Sequence, residues 1–235
     1  MGIKNFLILF VVFIWGVSVG NYQFFPYDQI KFLKKKILPA NNKVKRQLGN
    51  QQLLTQHKLI NGKADIVMLG DSLTQAGLWS EYFEGQRVFN RGLNGEGIED
   101  ILNRIDSIIE IQPKKLFILV GINDFISGSS VEKAIENYLK IIKKLKQAKI
   151  EVIIQSTISC NKLYSRCSKI SEKILSFNQQ LQFLATSQNI PYINLNTYLI
   201  DQNGQLKMEY TDDGVHLLGN AYQIWVSEIK KILQK

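Results

Sequence analysis

Ile66-Val67-Met68-Leu69-Gly70-Asp71-Ser72-Leu73 is the stretch that decides how the rest of this chain is read. An uninterrupted aliphatic run ending in glycine has the composition of a strand buried on both faces, as in a parallel sheet. Open sheets of that kind carry their functional groups on the turns that leave the carboxyl ends of the strands. Ser72 is therefore expected to stand exposed on a rigid support. A Gly-Asp-Ser turn also serves as a plain turn or helix cap, so the serine acquires chemical meaning only if a base accompanies it.

Outward from this stretch the pattern repeats. Strands are expected over residues 65–69, 87–90, 115–120, 151–155 and 191–194, separated by helices over 98–109, 131–148, 171–188 and 218–233. Strand and helix in alternation give βαβ units, whose right-handed crossovers place helices on both faces of one sheet. The expected fold is a flavodoxin-like three-layer α/β/α sandwich on a mostly parallel five-stranded sheet, preceded by an N-terminal hydrophobic helix. In this arrangement Ser72, Gly92 and Asn123 leave successive strands at the same edge.

The chain has two histidines, His57 and His216. His216 lies in Asp213-Gly214-Val215-His216, where the carboxylate can reach the imidazole Nδ1–H and leave Nε2 as a general base for the serine. Asp212 is the rival orienter, and His57 reads as an ordinary surface residue. Acyl transfer also needs donors for the oxyanion. Gly92 in Phe89-Asn90-Arg91-Gly92 offers a backbone N–H unobstructed by a side chain, Asn123 in Gly121-Ile122-Asn123-Asp124 an amide, and Ser72 its own N–H. The glycine-rich run Gly92–Gly97 lacks the spacing of a dinucleotide loop, and no clustered ligand spacing points to a metal.

Taken together these blocks resemble the SGNH hydrolases, also called GDSL esterases and lipases. Ser72 stands in GDSL, Gly92 in NRGLNGEG, Asn123 in GIND and His216 in DGVHL, in that order, and the resemblance runs from about Asp65 to Trp225. It implies Ser72 as nucleophile, Asp213 and His216 as the base unit, Ser72, Gly92 and Asn123 as the oxyanion hole, and no cofactor. The details are similar to the small acetylhydrolase-like branch, which includes platelet-activating-factor acetylhydrolase subunits and bacterial carbohydrate acetylesterases. The implied activity is hydrolysis of a short-chain oxygen ester, with acetyl the expected acyl group, on a glycan or lipid-like substrate. One alternative is an O-acyltransferase of envelope glycans using the same residues. Another, of a different class, is a non-catalytic glycan-binding or scaffold module, which would be marked by loss of a catalytic residue; here all are present.

The remaining chain bears on location. Residues 1–27 read as a signal anchor or signal peptide, because no charge interrupts Asn5 to Tyr27 and Phe6 to Trp15 is continuously apolar. Residues 28–60, with Lys31, Lys34, Lys35, Lys36, Lys43, Lys45 and Arg46, read as a basic juxtamembrane connector, and 61–235 as the catalytic domain. A positive-inside count would keep that domain in the cytoplasm, whereas Cys160 and Cys167 are spaced to close a small disulfide ring in an oxidising compartment. The expectation is a membrane-anchored, extracytoplasmic enzyme, or a secreted one after signal cleavage. The net charge of +9 accompanies no nucleic-acid recognition motif. Lysines such as Lys133, Lys140 and Lys144 fall on the solvated side of an amphipathic helix.

Overall fold

The computed structural model describes residues 13, 41–60 and 62–234. Apart from Phe13, the expected N-terminal anchor falls on residues outside that set; among the described residues no helix is long and apolar enough to cross a membrane. The chain divides into two units, Met1–Gly49 and Asn50–Lys235, and the second contains the sheet and the site described below.

Within the expected linker, helix α1 spans Asn41–Leu59. Then come β1 (Ile66–Gly70), α2 (Ser72–Gln75), α3 (Trp79–Tyr82), β2 (Val88–Gly92), α4 (Ile98–Ile109), β3 (Lys115–Leu119) and α5 (Ile122–Ile126). The series ends with α6 (Val131–Gln147), β4 (Glu151–Gln155), α7 (Cys167–Ser187), β5 (Tyr192–Ile193), α8 (Asn196–Leu199), a 3₁₀ turn at Met208–Tyr210 and α9 (Gly219–Leu233).

The five strands form one sheet in the order β2-β1-β3-β4-β5, and every pairing is parallel. The sheet and its helices match the expected α/β class, with β5 shortened to two residues. Alternation along the strands explains the layers. Val67, Leu69, Leu116, Ile118, Val152 and Ile154 pack on one face with α4, α6 and α7. Ile66, Met68, Phe117, Leu119 and Ile153 pack on the other with Trp79, Tyr222, Trp225 and Ile229. Strands buried on both faces need the continuous apolar runs seen in the sequence. On α6 the lysines lie outward, Lys140 pairing with Glu136 and Lys144 with Asp106.

In-register pairing places Gly70 beside both Gly92 and Leu119. The chain segments that carry Ser72, Gly92 and Asn123 thus leave adjacent strands at one level.

Candidate active site

Ser72 opens helix α2, whose N-cap is Asp71. Asp71 Oδ1 accepts the Leu73 N–H at 2.9 Å, so the turn is a helix cap as well as a serine mount. The cap is fully buried, and burial raises the Asp71 carboxyl to about 7 against the lowering effect of the Leu73 N–H and the His216 charge. Because Ser72 sits in the first turn, helix geometry leaves its N–H without an intrahelical acceptor.

Further groups hold this turn from outside. The Asn90 amide nitrogen donates to Thr74 O, Gln75 O and Gly77 O at 3.1, 2.9 and 3.2 Å, and Asn90 Oδ1 accepts the Gly92 N–H at 2.9 Å. Trp79 Nε1 donates to Thr74 O and Tyr222 Oη to Leu73 O, each at 2.7 Å. Gly92 is required by contact: a Cβ there would fall 2.2 Å from Gln75 N. Sequence reasoning missed the part played by Asn90; its place in the N-R-G segment beside the glycine was the available signal. Tyr222 and Trp225 are both buried.

His216 arrives on the loop between the 3₁₀ turn and α9. Its Nε2 lies 3.1 Å from Ser72 Oγ, and its Nδ1 lies 2.6 Å from Asp213 Oδ2. Asp213 Oδ1 accepts the N–H groups of Val215 and His216 at 2.9 and 2.8 Å. Burial pushes the Asp213 carboxyl up, but the His216 ring and these two N–H groups outweigh it and hold the group at about 2. It is Asp213, and not Asp212, that meets the ring.

This loop is clamped from one side. Cys160 and Cys167 are joined in a disulfide, and inside the ring Asn161 N donates to Gly214 O at 3.0 Å. Asn161 Oδ1 accepts the Leu163 N–H, and its amide nitrogen donates to Leu206 O, each at 2.9 Å. Gly214 has φ +87, and a Cβ there would fall 2.5 Å from Tyr164 N, so glycine is needed on both counts.

The oxyanion donors differ from the simplest expectation. The Asn123 amide nitrogen donates to Glu96 O at 3.0 Å and to Asp71 Oδ2 at 3.3 Å, and the Gly92 N–H is held by Asn90 Oδ1. Asn123 is engaged because the backbone of the glycine-rich segment packs against the GIND turn, and the Gly92 N–H because the Asn90 side chain two residues earlier turns back to it. Asp124, buried and raised to about 6 by that burial, accepts the Ile98 N–H and so caps α4. His57, expected at the surface, is half-buried with its Nδ1 covered.

Residues 68–224 match the model of the GDSL-like Lipase/Acylhydrolase family. A curated relative is the N-acylneuraminate cytidylyltransferase of Streptococcus agalactiae serotype V, 28% identical over 183 residues. The match covers 74% of this chain but 42% of that protein, so the chain spans less than half the length of this relative. Among solved structures, one from Streptococcus pneumonia named for platelet activating factor superposes with a TM-score of 0.71 at 26% identity, covering 87% of this chain and 98% of that one. A GDSL-like lipase from Bacteroides thetaiotaomicron gives 0.70 at 23% identity, covering 79% and 97%.

Proposed function

The chain belongs to the GDSL-like lipase/acylhydrolase family and is a serine hydrolase acting on ester bonds; from that premise we propose that Ser72 removes a short acyl group, acetyl in the first instance, from an oxygen ester on a glycan or lipid-like carrier. The observation that carries the reading is the row Ser72 Oγ, His216 Nε2, His216 Nδ1, Asp213 Oδ2, with steps of 3.1 and 2.6 Å. A hydroxyl becomes a nucleophile when a base within hydrogen-bond reach takes its proton, and a carboxylate on the far nitrogen fixes the tautomer that leaves Nε2 open.

The mechanism follows from these contacts. His216 Nε2 accepts the Ser72 proton as Oγ attacks the ester carbonyl. The Ser72 N–H faces the developing oxyanion, and the Gly92 N–H and Asn123 amide N–H divide their donation between it and their internal acceptors. When the tetrahedral intermediate collapses, the alcohol leaves with the proton from Nε2 and the acyl group stays on Oγ. Water then gives its proton to Nε2, attacks the acyl-enzyme, and releases the acid while Ser72 recovers its hydrogen.

Exposure supports a short acyl group on a bulky carrier. The His216 and Asp213 side chains are 55% and 54% exposed, so a large polar carrier can approach the serine, whereas a long chain needs an apolar channel to bury it. Nucleotidyl transfer, the activity in the name of the Streptococcus agalactiae relative, is not carried over, since the match covers 42% of that protein. An extracytoplasmic domain belongs to the same proposal and is supported by the Cys160–Cys167 disulfide, a bond that persists in oxidising compartments.

The test is a series of p-nitrophenyl esters from acetate to long-chain acyl, run beside O-acetylated polysaccharides. Fastest turnover at the short end, with acetate released from a polysaccharide, is the expected result. A rate that rises with chain length would overturn the short-acyl reading, and failure to cleave any ester would overturn the mechanism.

A further inference from the structure

Arg91 is the only lysine or arginine buried among the described residues, with 3% of its surface exposed. Asn90 and Arg91 are consecutive on β2, so while Asn90 reaches the serine turn, Arg91 enters the layer on the opposite face. There its guanidinium lies 4.6 Å from the centre of the Phe89 ring, and Nη1 donates to Asn90 O. Nη2 is buried with no hydrogen-bond partner among the described residues, and none of the ion pairs among them includes Arg91. The buried carboxylate of Glu96 is bound to Arg104 at 2.6 to 3.1 Å. A buried cation without an anion is strongly unfavourable, which leaves this position incomplete.

A second unpartnered nitrogen lies in the same place. His57 Nδ1 is buried without a partner among the described residues, and His57 and Arg91 line one cavity of about 520 Å³. Lys58 and Arg104 also line it. Two carboxylates share the wall, of which Asp106 is occupied by Lys144, leaving Glu110. Burial, reinforced by the charges of Arg91 and Arg104, lowers His57 to about 4, so its ring is neutral near pH 7 and able to offer an uncharged N–H.

We propose that this cavity is an anion site, in which Arg91 Nη2 and His57 Nδ1 hold an oxyanion, phosphate or carboxylate, borne by a small molecule. An oxyanion accepts several hydrogen bonds at once and supplies the charge that Arg91 lacks; guanidinium and imidazole together are suited to that geometry. The volume leaves room for an organic group, for which Ile108 and Ile111 provide an apolar wall. The cavity shares no lining residue with the Ser72–His216–Asp213 row, so its occupant is not the ester being cleaved.

Calorimetric titration of the full chain with inorganic phosphate and, separately, with acetate tests this, at constant ionic strength with chloride as the balancing salt. Saturable binding of at least one oxyanion is expected, weakened about tenfold or more in His57→Leu and lost in Arg91→Met, in keeping with the loss of charge-assisted hydrogen bonds. Tighter phosphate binding points to a phosphorylated ligand and tighter acetate binding to a carboxylated one; either result supports the site. If Arg91→Met does not fold, His57→Leu and Lys58→Ala carry the test. No saturable binding to the wild-type chain, or binding unchanged in every folded variant, overturns the proposal.

Discussion

The nucleophile and its base are held by different physics. Ser72 grows out of β1, every residue of which is buried, and its turn is fastened by Asp71, Asn90, Trp79 and Tyr222. Asp213 and His216 ride on an irregular loop with their side chains more than half exposed, and they are aligned by local backbone N–H groups and the Cys160–Cys167 ring. Position at the first end comes from the close packing of a sheet, which tolerates little change in volume. At the second it comes from polar contacts that can fail without unfolding the domain. Loss of packing at the serine end should therefore threaten the fold, and loss of a single polar contact at the base end should register chiefly in kcat.

The largest effects come from removing the reacting groups themselves. Ser72→Ala is expected to abolish labelling by a fluorophosphonate probe and reduce turnover to background, while circular dichroism stays native because only a hydroxyl is lost. His216→Ala should lower kcat by roughly 10³-fold or more, and Asp213→Asn by roughly 10²–10⁴-fold through the wrong tautomer. Asp212→Asn is the control and should be mild, since it is Asp213 that contacts the ring. Wild-type-like activity of Ser72→Ala would break the mechanism; a crippled Asp212→Asn beside a healthy Asp213→Asn would move the orienter by one residue.

Next in size is Asn123→Ala, on the serine side. It removes a donor without touching proton transfer, so kcat should fall about 10²–10³-fold with KM nearly unchanged. The resting contacts of Asn123 with Glu96 O and Asp71 Oδ2 sharpen this test. If the amide only braces the glycine-rich segment, Asn123→Ala will lower the melting temperature and leave kcat close to wild type.

What could be read from residues alone follows the same division. Ser72, Gly92 and Asn123 were legible because each follows an apolar run, and a parallel sheet brings such ends to one level. The disposition of His216 was legible through Asp213, since a carboxylate three residues earlier can hold the ring within one loop. Contacts between segments distant in sequence were not legible. Asn161 bracing Gly214 and Tyr222 bonding Leu73 O join positions far apart in the chain, and no periodicity encodes them. The internal engagement of Gly92 and Asn123 was hidden for the same reason, and so was the burial of Arg91, whose charge reads as surface.

A smaller effect is expected from the ring that clamps the base loop. In Cys160→Ala combined with Cys167→Ala, the short covalent loop is opened, with a stability loss of roughly 2–3 kcal/mol. The Gly214 O···Asn161 N contact loosens with it, so kcat should fall about tenfold, equivalent to one good hydrogen bond, with KM little changed. Reducing the wild-type chain should reproduce both changes, and alkylation of chain taken from its host without reductant should find neither thiol free. A lowered melting temperature with unchanged kcat would mean that the ring fastens the fold and leaves the base alone.

The smallest effect separates the two ends by pH. Asp71 is wholly buried and its carboxyl is raised to about 7, from 3.8, chiefly by that burial. Because the folded state holds this proton more tightly than the unfolded chain, Asp71 favours folding most below about pH 4, and that contribution is lost as pH rises from about 4 to about 7. Asp71→Asn has no proton to lose. Its melting temperature, relative to wild type, should therefore improve across this interval and level off above it. The amide still accepts from the Leu73 N–H, but it replaces the acceptor facing Asn123 at 3.3 Å, a long bond worth about 0.5 kcal/mol, so kcat should drop only about twofold. Asp213, held at about 2, stays ionised throughout the same range, so Asp213→Asn should show no such pH-dependent gain. A melting-temperature difference for Asp71→Asn that stays flat from pH 4 to 8 would show that Asp71 does not carry the raised carboxyl, and the contrast between a buried serine end and a solvated base end would lose its electrostatic part.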